Sequence, residues 1–239
     1  QGLGLNEMAQ RRFQTALDHL DKVAAVEKQV SGPQLERMYN LNWKIRVAMG
    51  DYNGAANVCQ LIMKRFPNTS SAEQALLALG QVSMEEKNYA ASVRFYGQLA
   101  LVPDSPFRAE AQYMMGEAYE NWAKQQQGVG PQALAAYEGV VDKFPGTPWA
   151  GKAVLTIATF YIVLGDNEKA DAYFEKIETD FGEQEFMPFV LYQHGLVLYK
   201  QKKLSEAVAK WQQVVSDWPD SEEAKKAKTN VSKVSSKLN

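Results

Sequence analysis

The side chains best suited to acid–base or metal chemistry near neutral pH are scarce in this sequence. Its 239 residues include two histidines, His19 and His194, and a single cysteine, Cys59. Neither histidine has another histidine or cysteine at metal-ligand spacing, and a lone cysteine cannot form an internal disulfide. We expect both histidines to be packing or surface residues, and Cys59 to be buried and inert. The sequence therefore predicts no catalytic residue, no cofactor and no metal site.

The sequence motifs that identify common enzyme classes are missing as well. We find no zincin signature, phosphate-binding glycine loop, nucleophile elbow or dinucleotide-binding fingerprint. Gly128 and Gly130 form a lone glycine pair with no strand before them, which is typical of a flexible turn. An enzyme whose site is assembled across distant segments stays an alternative, and it would need several titratable groups lining one pocket.

Composition and charge narrow the classes of partner. The chain is 46% hydrophobic and 23% charged, as in ordinary soluble folded proteins. Its 26 basic and 28 acidic residues leave a net charge of -2, so there is no overall positive field to attract nucleic acid. The longest uncharged apolar stretch, residues 154–165, is too short to span a bilayer as a helix. We expect no nucleic-acid partner and no transmembrane segment.

A short mark made of an apolar or aromatic residue followed by proline or glycine recurs along the chain. The marks end at Pro67, Pro103, Pro145, Gly182 and Pro219, and they return after 36, 42, 37 and 37 residues. The long interval contains the stretch AKQQQGVGPQ, which we interpret as an enlarged turn between two helices. The marks predict an N-terminal helix at 1–32, repeat units at 33–67, 68–103, 104–145, 146–182 and 183–219, and a capping helix at 220–239.

Each unit repeats the same small and large positions. A small residue in the second helical run is followed four positions later by a larger one, which predicts close helix crossing. These pairs are Ala55 with Cys59, Ser92 with Tyr96, Ala133 with Tyr137, Ala170 with Phe174, and Ala207 with Trp211. A second small residue lies in the first helical run, at Gly80, Gly116, Ala158 and Gly195. Ser105, Thr147 and Asp220 are the expected helix caps after three of the marks.

This pattern resembles the tetratricopeptide repeat over about Pro33 to Pro219. The resemblance implies an all-α, right-handed superhelical solenoid of about five helical hairpins with flanking terminal helices. It also implies a concave groove, lined by the first helices, that binds a protein or peptide. The linker forms FPNTSSAEQA and FPGTPWAGKA are similar to those of bacterial envelope proteins, namely Tol-Pal-associated periplasmic coordinators and the outer-membrane assembly lipoprotein BamD.

Carried over by register, the resemblance assigns a set of side chains to the groove. They are Lys44, Gln81, Tyr113, Glu117, Glu120, Lys152, Thr159, Tyr192 and Tyr199, together with the apolar Val47, Met84, Leu155, Ile162 and Leu196. Tyrosines and aliphatic side chains of this kind suit a peptide segment or a partner helix. Trp122 and Trp149 lie off the repeated packing positions, and we expect them to be exposed contact residues.

The envelope resemblance implies a periplasmic or outer-membrane-associated bacterial protein with a membrane-associated assembly as partner, and the cytoplasm stays an alternative. The first residues, QGLGLNEMAQRRF, have neither an initiator Met nor the apolar core of a secretory signal. We therefore expect a mature or trimmed chain. Two non-enzymatic hypotheses remain: a partner-binding scaffold, and a self-associating module that uses the N-terminal helix and exposed tryptophans.

Overall fold

The computed structural model describes residues 2–25, 31–126, 128–182 and 185–236, and side chains within 2–25 only in part. Within these residues the chain forms α-helices and no strand. The helices are α1 (Gly2–Ala25), α2 (Gly32–Ala48), α3 (Tyr52–Arg65), α4 (Ser70–Glu85), α5 (Tyr89–Ala100), α6 (Arg108–Ala123), α7 (Gly130–Lys143), α8 (Pro148–Leu164), α9 (Asn167–Asp180), α10 (Met187–Lys200), α11 (Leu204–Asp217) and α12 (Glu222–Ser235). The expected all-α repeat fold is confirmed.

The chain divides into two compact units, residues 1–133 and 134–239. In the first unit, α2 packs on α3, α3 on α4, α4 on α5 and α5 on α6. One core cluster joins α2, α3 and α4 through Tyr39, Cys59, Ile62 and Leu79, which are at most 6% exposed. Because neighbouring hairpins share this core, each hairpin buries the apolar face that it could not bury alone. α1 packs on α2, and its Leu20 contacts the same cluster.

In the second unit, α8 packs on α9, α9 on α10, α10 on α11 and α11 on α12. Ile157, Phe174, Leu191 and Trp211 come from four successive helices and are at most 1% exposed. The terminal helix α12 buries a sparse stripe of small side chains, as expected of a capping helix. The stripe consists of Ala224, Ala227 and Val234.

The small residues allow neighbouring helices to approach closely, as the spacing predicted. A methyl carbon on Gly80 would lie 2.3 Å from Cε1 of Tyr96. The Ser92 hydroxyl donates a hydrogen bond of 2.9 Å to the Gly80 carbonyl oxygen, so α5 lies directly on the backbone of α4. Glycine and serine are therefore required here by packing, although a glycine inside a helix costs about 1 kcal/mol relative to alanine.

Only one of the three predicted helix N-caps is confirmed. Thr147 caps α8, as expected, by accepting a hydrogen bond from Ala150 N at 3.2 Å, and Pro148 occupies the first turn. The expected caps at Ser105 and Asp220 are wrong. The Ser105 hydroxyl accepts from Phe107 N at 3.2 Å and donates to Glu73 Oε2 at 2.8 Å, but α6 begins at Arg108 with Phe107 as its N-cap. Ser221, one residue after Asp220, caps α12 by accepting from Ala224 N at 3.1 Å.

The connection between α6 and α7 is the enlarged turn that the long interval predicted. It lies between Ala123 at the end of α6 and Gly130 at the start of α7, and is longer than the connection of residues 49–51 between α2 and α3. Gly128 has a φ of +89°, which glycine adopts without strain. Gly130 and Pro131 do not lie in this turn but form the first turn of α7, where the missing amide hydrogen of proline removes no helical hydrogen bond.

Candidate functional site

First helices of the hairpins carry the predicted groove residues in both units. In the first unit, Lys44 and Gln81 are exposed on α2 and α4. On α6, Tyr113 and Glu117 are half-buried and Glu120 is exposed. These side chains are spread over three helices, so a partner that contacts them all must extend across several hairpins.

A pocket of about 380 Å³ opens among these helices of the first unit. Gln81 lies in its wall, together with Val47 and Met84, the apolar groove residues of the same register. The remaining lining residues are Tyr52, Ala78, Val82, Glu85, Tyr96 and Met114. The pocket thus brings together groove positions from α2 and α4, whereas Lys44, Tyr113, Glu117 and Glu120 do not line it.

Tyr96 gives this pocket a polar group in an otherwise mainly apolar lining. Its side chain is 0% exposed, and its hydroxyl has no hydrogen-bond partner among the described residues. Burial raises the pKa of the Tyr96 phenol, and the nearby negative charges of Glu117 and Glu110 raise that pKa further. A buried hydroxyl without a partner is uncommon, because leaving one unsatisfied costs about 1–3 kcal/mol.

In the second unit, the predicted groove residues lie on α8 and α10. Lys152 is exposed, and its ammonium lies 4.3 Å from the ring centre of Trp149, close enough for a cation–π interaction. Thr159 is also exposed, but its hydroxyl donates to the Leu155 carbonyl oxygen at 2.9 Å. At these positions α8 therefore presents a lysine ammonium over an aromatic ring, and a threonine methyl group.

Two tyrosines continue this surface on α10. Tyr192 is half-buried, and its carbonyl oxygen accepts a hydrogen bond of 3.1 Å from the Trp211 indole. Tyr199 is 37% exposed and lies 6.2 Å from the Trp211 ring. Both tyrosines are thus held by the core tryptophan, which leaves Tyr199 in particular with an accessible face.

Trp122 and Trp149, expected as exposed contacts, are both half-buried. Trp122 stacks on Tyr119 with ring centres 6.3 Å apart, and its indole nitrogen donates to Gln126 Oε1 at 3.1 Å. The ammonium group of Lys152 covers one face of the Trp149 ring. Each tryptophan therefore keeps part of its surface accessible while a neighbouring side chain covers the rest.

Sequence reasoning missed a buried ionic network in the second unit. His194 is 1% exposed, with Nε2 2.6 Å from Asp171 Oδ1 and Nδ1 2.5 Å from Glu178 Oε1. Lys203 donates to the second oxygen of Asp171 at 2.7 Å, and Lys210 forms an ion pair with Glu178. The His194 ring thus lies between two carboxylates, each of which is also held by a lysine.

This network connects α9 to α10 and α11. Burial raises the pKa values of Asp171 and Glu178, but hydrogen bonds from His194 and the two lysines outweigh burial and lower both pKa values. At 1% exposure, the His194 ring is closed off from solvent and therefore not open to a substrate. Asp171 and Glu178 are seven residues apart, which places both on one face of α9, and this spacing was the available sequence signal.

A second cavity of about 660 Å³ lies in the second unit, on the second helices α7 and α9. Its polar lining includes Glu138, Asp142, Tyr173 and Lys176. Lys176 also donates to Asp180 at 3.0 Å, and Tyr173 stacks on Tyr161 with ring centres 5.6 Å apart. None of these residues belongs to the predicted groove.

Two further features bear on the class of site. In the described part of the chain, no cluster of three or more histidine, cysteine, aspartate or glutamate side chains has an arrangement that could hold a metal ion. None of the described helices combines the length and the apolar run that crossing a membrane requires.

The comparisons with known proteins agree with this architecture. The family described as tetratricopeptide repeat matches residues 110–147 and 189–221. No curated protein matches the sequence. Among solved structures, PilW, a widely conserved type IV pilus biogenesis factor, is 18% identical, with 94% of each chain covered and a TM-score of 0.56.

Two other structures share the fold. YrrB, a tetratricopeptide-repeat protein with an unusual peptide-binding site, is 14% identical, covering 88% of this chain and 97% of its own, with a TM-score of 0.55. The apo form of RapI is 12% identical, covering 88% of this chain and 62% of its own, with a TM-score of 0.67. Residues 110–147 and 189–221 thus match the tetratricopeptide repeat, and the described residues have the all-α fold of tetratricopeptide-repeat proteins.

Proposed function

We propose that this protein is a non-enzymatic scaffold that binds a partner protein or peptide on the first helices of its hairpins. The observation that carries the proposal is the pocket of the first unit, which contains Val47, Gln81 and Met84. All three were assigned to the groove by repeat register alone. Concave, mainly apolar pockets with a few polar groups are the usual form of binding sites.

The second unit supports the same function with different chemistry. Its first helices present Lys152 with Trp149, and Tyr192 with Tyr199. Tyrosine combines a large apolar area with a hydrogen-bonding tip, and aromatic residues contribute strongly to protein interfaces. The fold is also that of YrrB, which has a peptide-binding site of its own.

A location in a bacterial cell envelope is the second part of the proposal. It rests on the linker forms FPNTSSAEQA and FPGTPWAGKA, which are similar to those of Tol-Pal coordinators and BamD. The type IV pilus biogenesis factor PilW shares the fold. In this view the partner belongs to a membrane-associated assembly.

Affinity capture from the source organism tests the scaffold function. Wild-type protein retains a reproducible partner, and replacement of Tyr113, Tyr192 and Tyr199 by alanine reduces its recovery. Tyr89→Ala, on the second helix α5, is the matched control and leaves recovery unchanged. Equal recovery with all variants contradicts binding on the first helices.

Self-association is the competing function, and light scattering separates it from the scaffold. We expect a monomer at micromolar concentration. A stable oligomer that dissociates when Phe13 on α1 is replaced by a charged residue would favour self-association instead.

A further inference from the structure

The pocket of the first unit is large enough to receive an apolar side chain together with the adjoining peptide backbone. Its volume is about 380 Å³. Val47, Val82, Met84 and Met114 provide most of its apolar wall, and these side chains belong to α2, α4 and α6. An aliphatic side chain placed there leaves water, which is the main favourable term in most protein association.

The Tyr96 hydroxyl adds a requirement that an apolar ligand alone cannot meet. The nearby Ser92 hydroxyl uses its proton on the Gly80 carbonyl oxygen, and the Tyr96 oxygen has no partner among the described residues. A peptide carbonyl oxygen next to the inserted side chain would accept from it. Met84 and Met114 border the same pocket, and flexible methionine side chains can shift to admit the peptide.

Charge around the pocket is negative. Glu85, at the end of α4, is the charged residue among the described lining residues, and it is exposed. A ligand with a positive charge beside its apolar group is therefore favoured over a neutral or acidic one.

We infer that this pocket binds a segment of the partner protein in which a large aliphatic residue stands next to a lysine or arginine. The aliphatic side chain enters between Val47 and Met84, the backbone carbonyl accepts from Tyr96, and the basic side chain pairs with Glu85. This inference rests on the proposed function and specifies the sequence that the first unit selects.

Selection from a phage-displayed library of random peptides tests this specificity with a defined probe. The library is panned on the full chain, and selected sequences are compared with those retained by Glu85→Lys. We expect enrichment of Leu, Ile or Met beside Lys or Arg on the wild type. Recovery of no peptide, or of acidic or purely polar peptides, would overturn the inference.

One selected peptide is then synthesised and its dissociation constant measured by calorimetry. Tyr96→Phe should weaken binding roughly five- to tenfold through loss of one hydrogen bond. Glu85→Lys should weaken it about threefold or more at low salt. Glu86→Lys makes the same charge change one residue further along, outside the pocket lining, and should leave affinity within about twofold.

The melting temperature of Tyr96→Phe shows whether weaker binding reflects the lost hydrogen bond or a loss of folded protein. Removing an unsatisfied buried hydroxyl should leave the melting temperature unchanged or raise it, so weaker binding cannot be attributed to unfolding. Unchanged affinity in both Tyr96→Phe and Glu85→Lys overturns the inference. If Tyr192→Ala and Tyr199→Ala still reduce partner capture, the scaffold function stands without it.

A second copy of this chain is the other occupant that the experiment can detect. In that case light scattering would show a dimer that Glu85→Lys dissociates, and the free wild-type pocket would not select peptides. That outcome also contradicts the inference.

Discussion

The indole nitrogen of Trp211 donates a hydrogen bond of 3.1 Å to the carbonyl oxygen of Tyr192, one helix away. Gly195 makes this contact feasible, because a methyl carbon there would lie 2.4 Å from the same nitrogen. The large residue of α11 thus fixes the backbone of α10, and with it the tyrosines that face the proposed partner.

Gly195→Ala should destabilise the second unit by roughly 1–3 kcal/mol, because overpacking outweighs the better helix propensity of alanine. Urea unfolding followed by Trp fluorescence measures the change. Gly32→Ala is the control: Gly32 opens α2, and nothing lies within 4 Å of its added methyl carbon. A destabilisation by Gly32→Ala as large as that by Gly195→Ala would show that close crossing is not the cause.

His194→Gln should destabilise the second unit by roughly 2–4 kcal/mol, since it removes the buried ring whose two nitrogens contact the Asp171 and Glu178 carboxylates. Hydrogen exchange of α9, α10 and α11 amides locates the effect. His19→Gln, at an exposed position of α1, is the matched control and should leave exchange unchanged. Unaltered protection in His194→Gln would exclude a stabilising role for the network.

The same network predicts acid sensitivity. The pKa values of Asp171 and Glu178 are lowered in the folded protein, so their stabilising contribution is present above the unfolded values near pH 4 and is lost as pH falls through the folded pKa values. Through these two groups the free energy of unfolding should decline as the pH falls below about 5.

A double variant, Asp171→Asn with Glu178→Gln, checks the origin of this decline. The variant should be less stable at neutral pH and should lose less stability on acidification than the wild type. Identical pH slopes would assign the acid sensitivity to other groups.

Cys59 should be unreactive in the folded protein. Its side chain is 1% exposed, and burial raises the pKa of its thiol to about 12. Because the thiolate is the reactive form, a thiol reagent should label Cys59 only after denaturation. Gln60→Cys in a Cys59→Ala background places a thiol at the exposed neighbouring position and should react at once. Rapid native labelling of Cys59 would contradict its place in the core.

Residues at regular spacing were the ones whose roles the sequence predicted well. Gly80 with Tyr96 and Gly195 with Trp211 are sixteen residues apart in both cases, and both pairs are in close contact. Repetition reveals such pairs in the sequence because every hairpin packs against its neighbour in the same way, so the same residue types return at the same spacing. The turn between α6 and α7 was visible for the same reason, as an excess in one interval.

Contacts that occur in only one repeat unit were not predicted from the sequence. His194 contacts carboxylates that lie 16 and 23 residues earlier, and the sequence has no histidine in the other repeat units. The pocket at Tyr96 combines residues of three first helices and two second helices, whereas register alone predicted only its Val47, Gln81 and Met84. Ser105 resembled a cap locally, but its bond to Glu73, 32 residues away, was invisible to local reasoning.

The most direct measurement of partner binding on the first helices is site-specific photo-crosslinking in the source organism. A photoreactive residue replaces exposed Gln81 on α4 or Thr159 on α8, and exposed Gln98 on α5 or Gln213 on α11 serves as control. The scaffold proposal predicts a discrete crosslinked partner from Gln81 and Thr159 and none from the two controls. Crosslinks only from Gln98 and Gln213, or equally from all four positions, would contradict it.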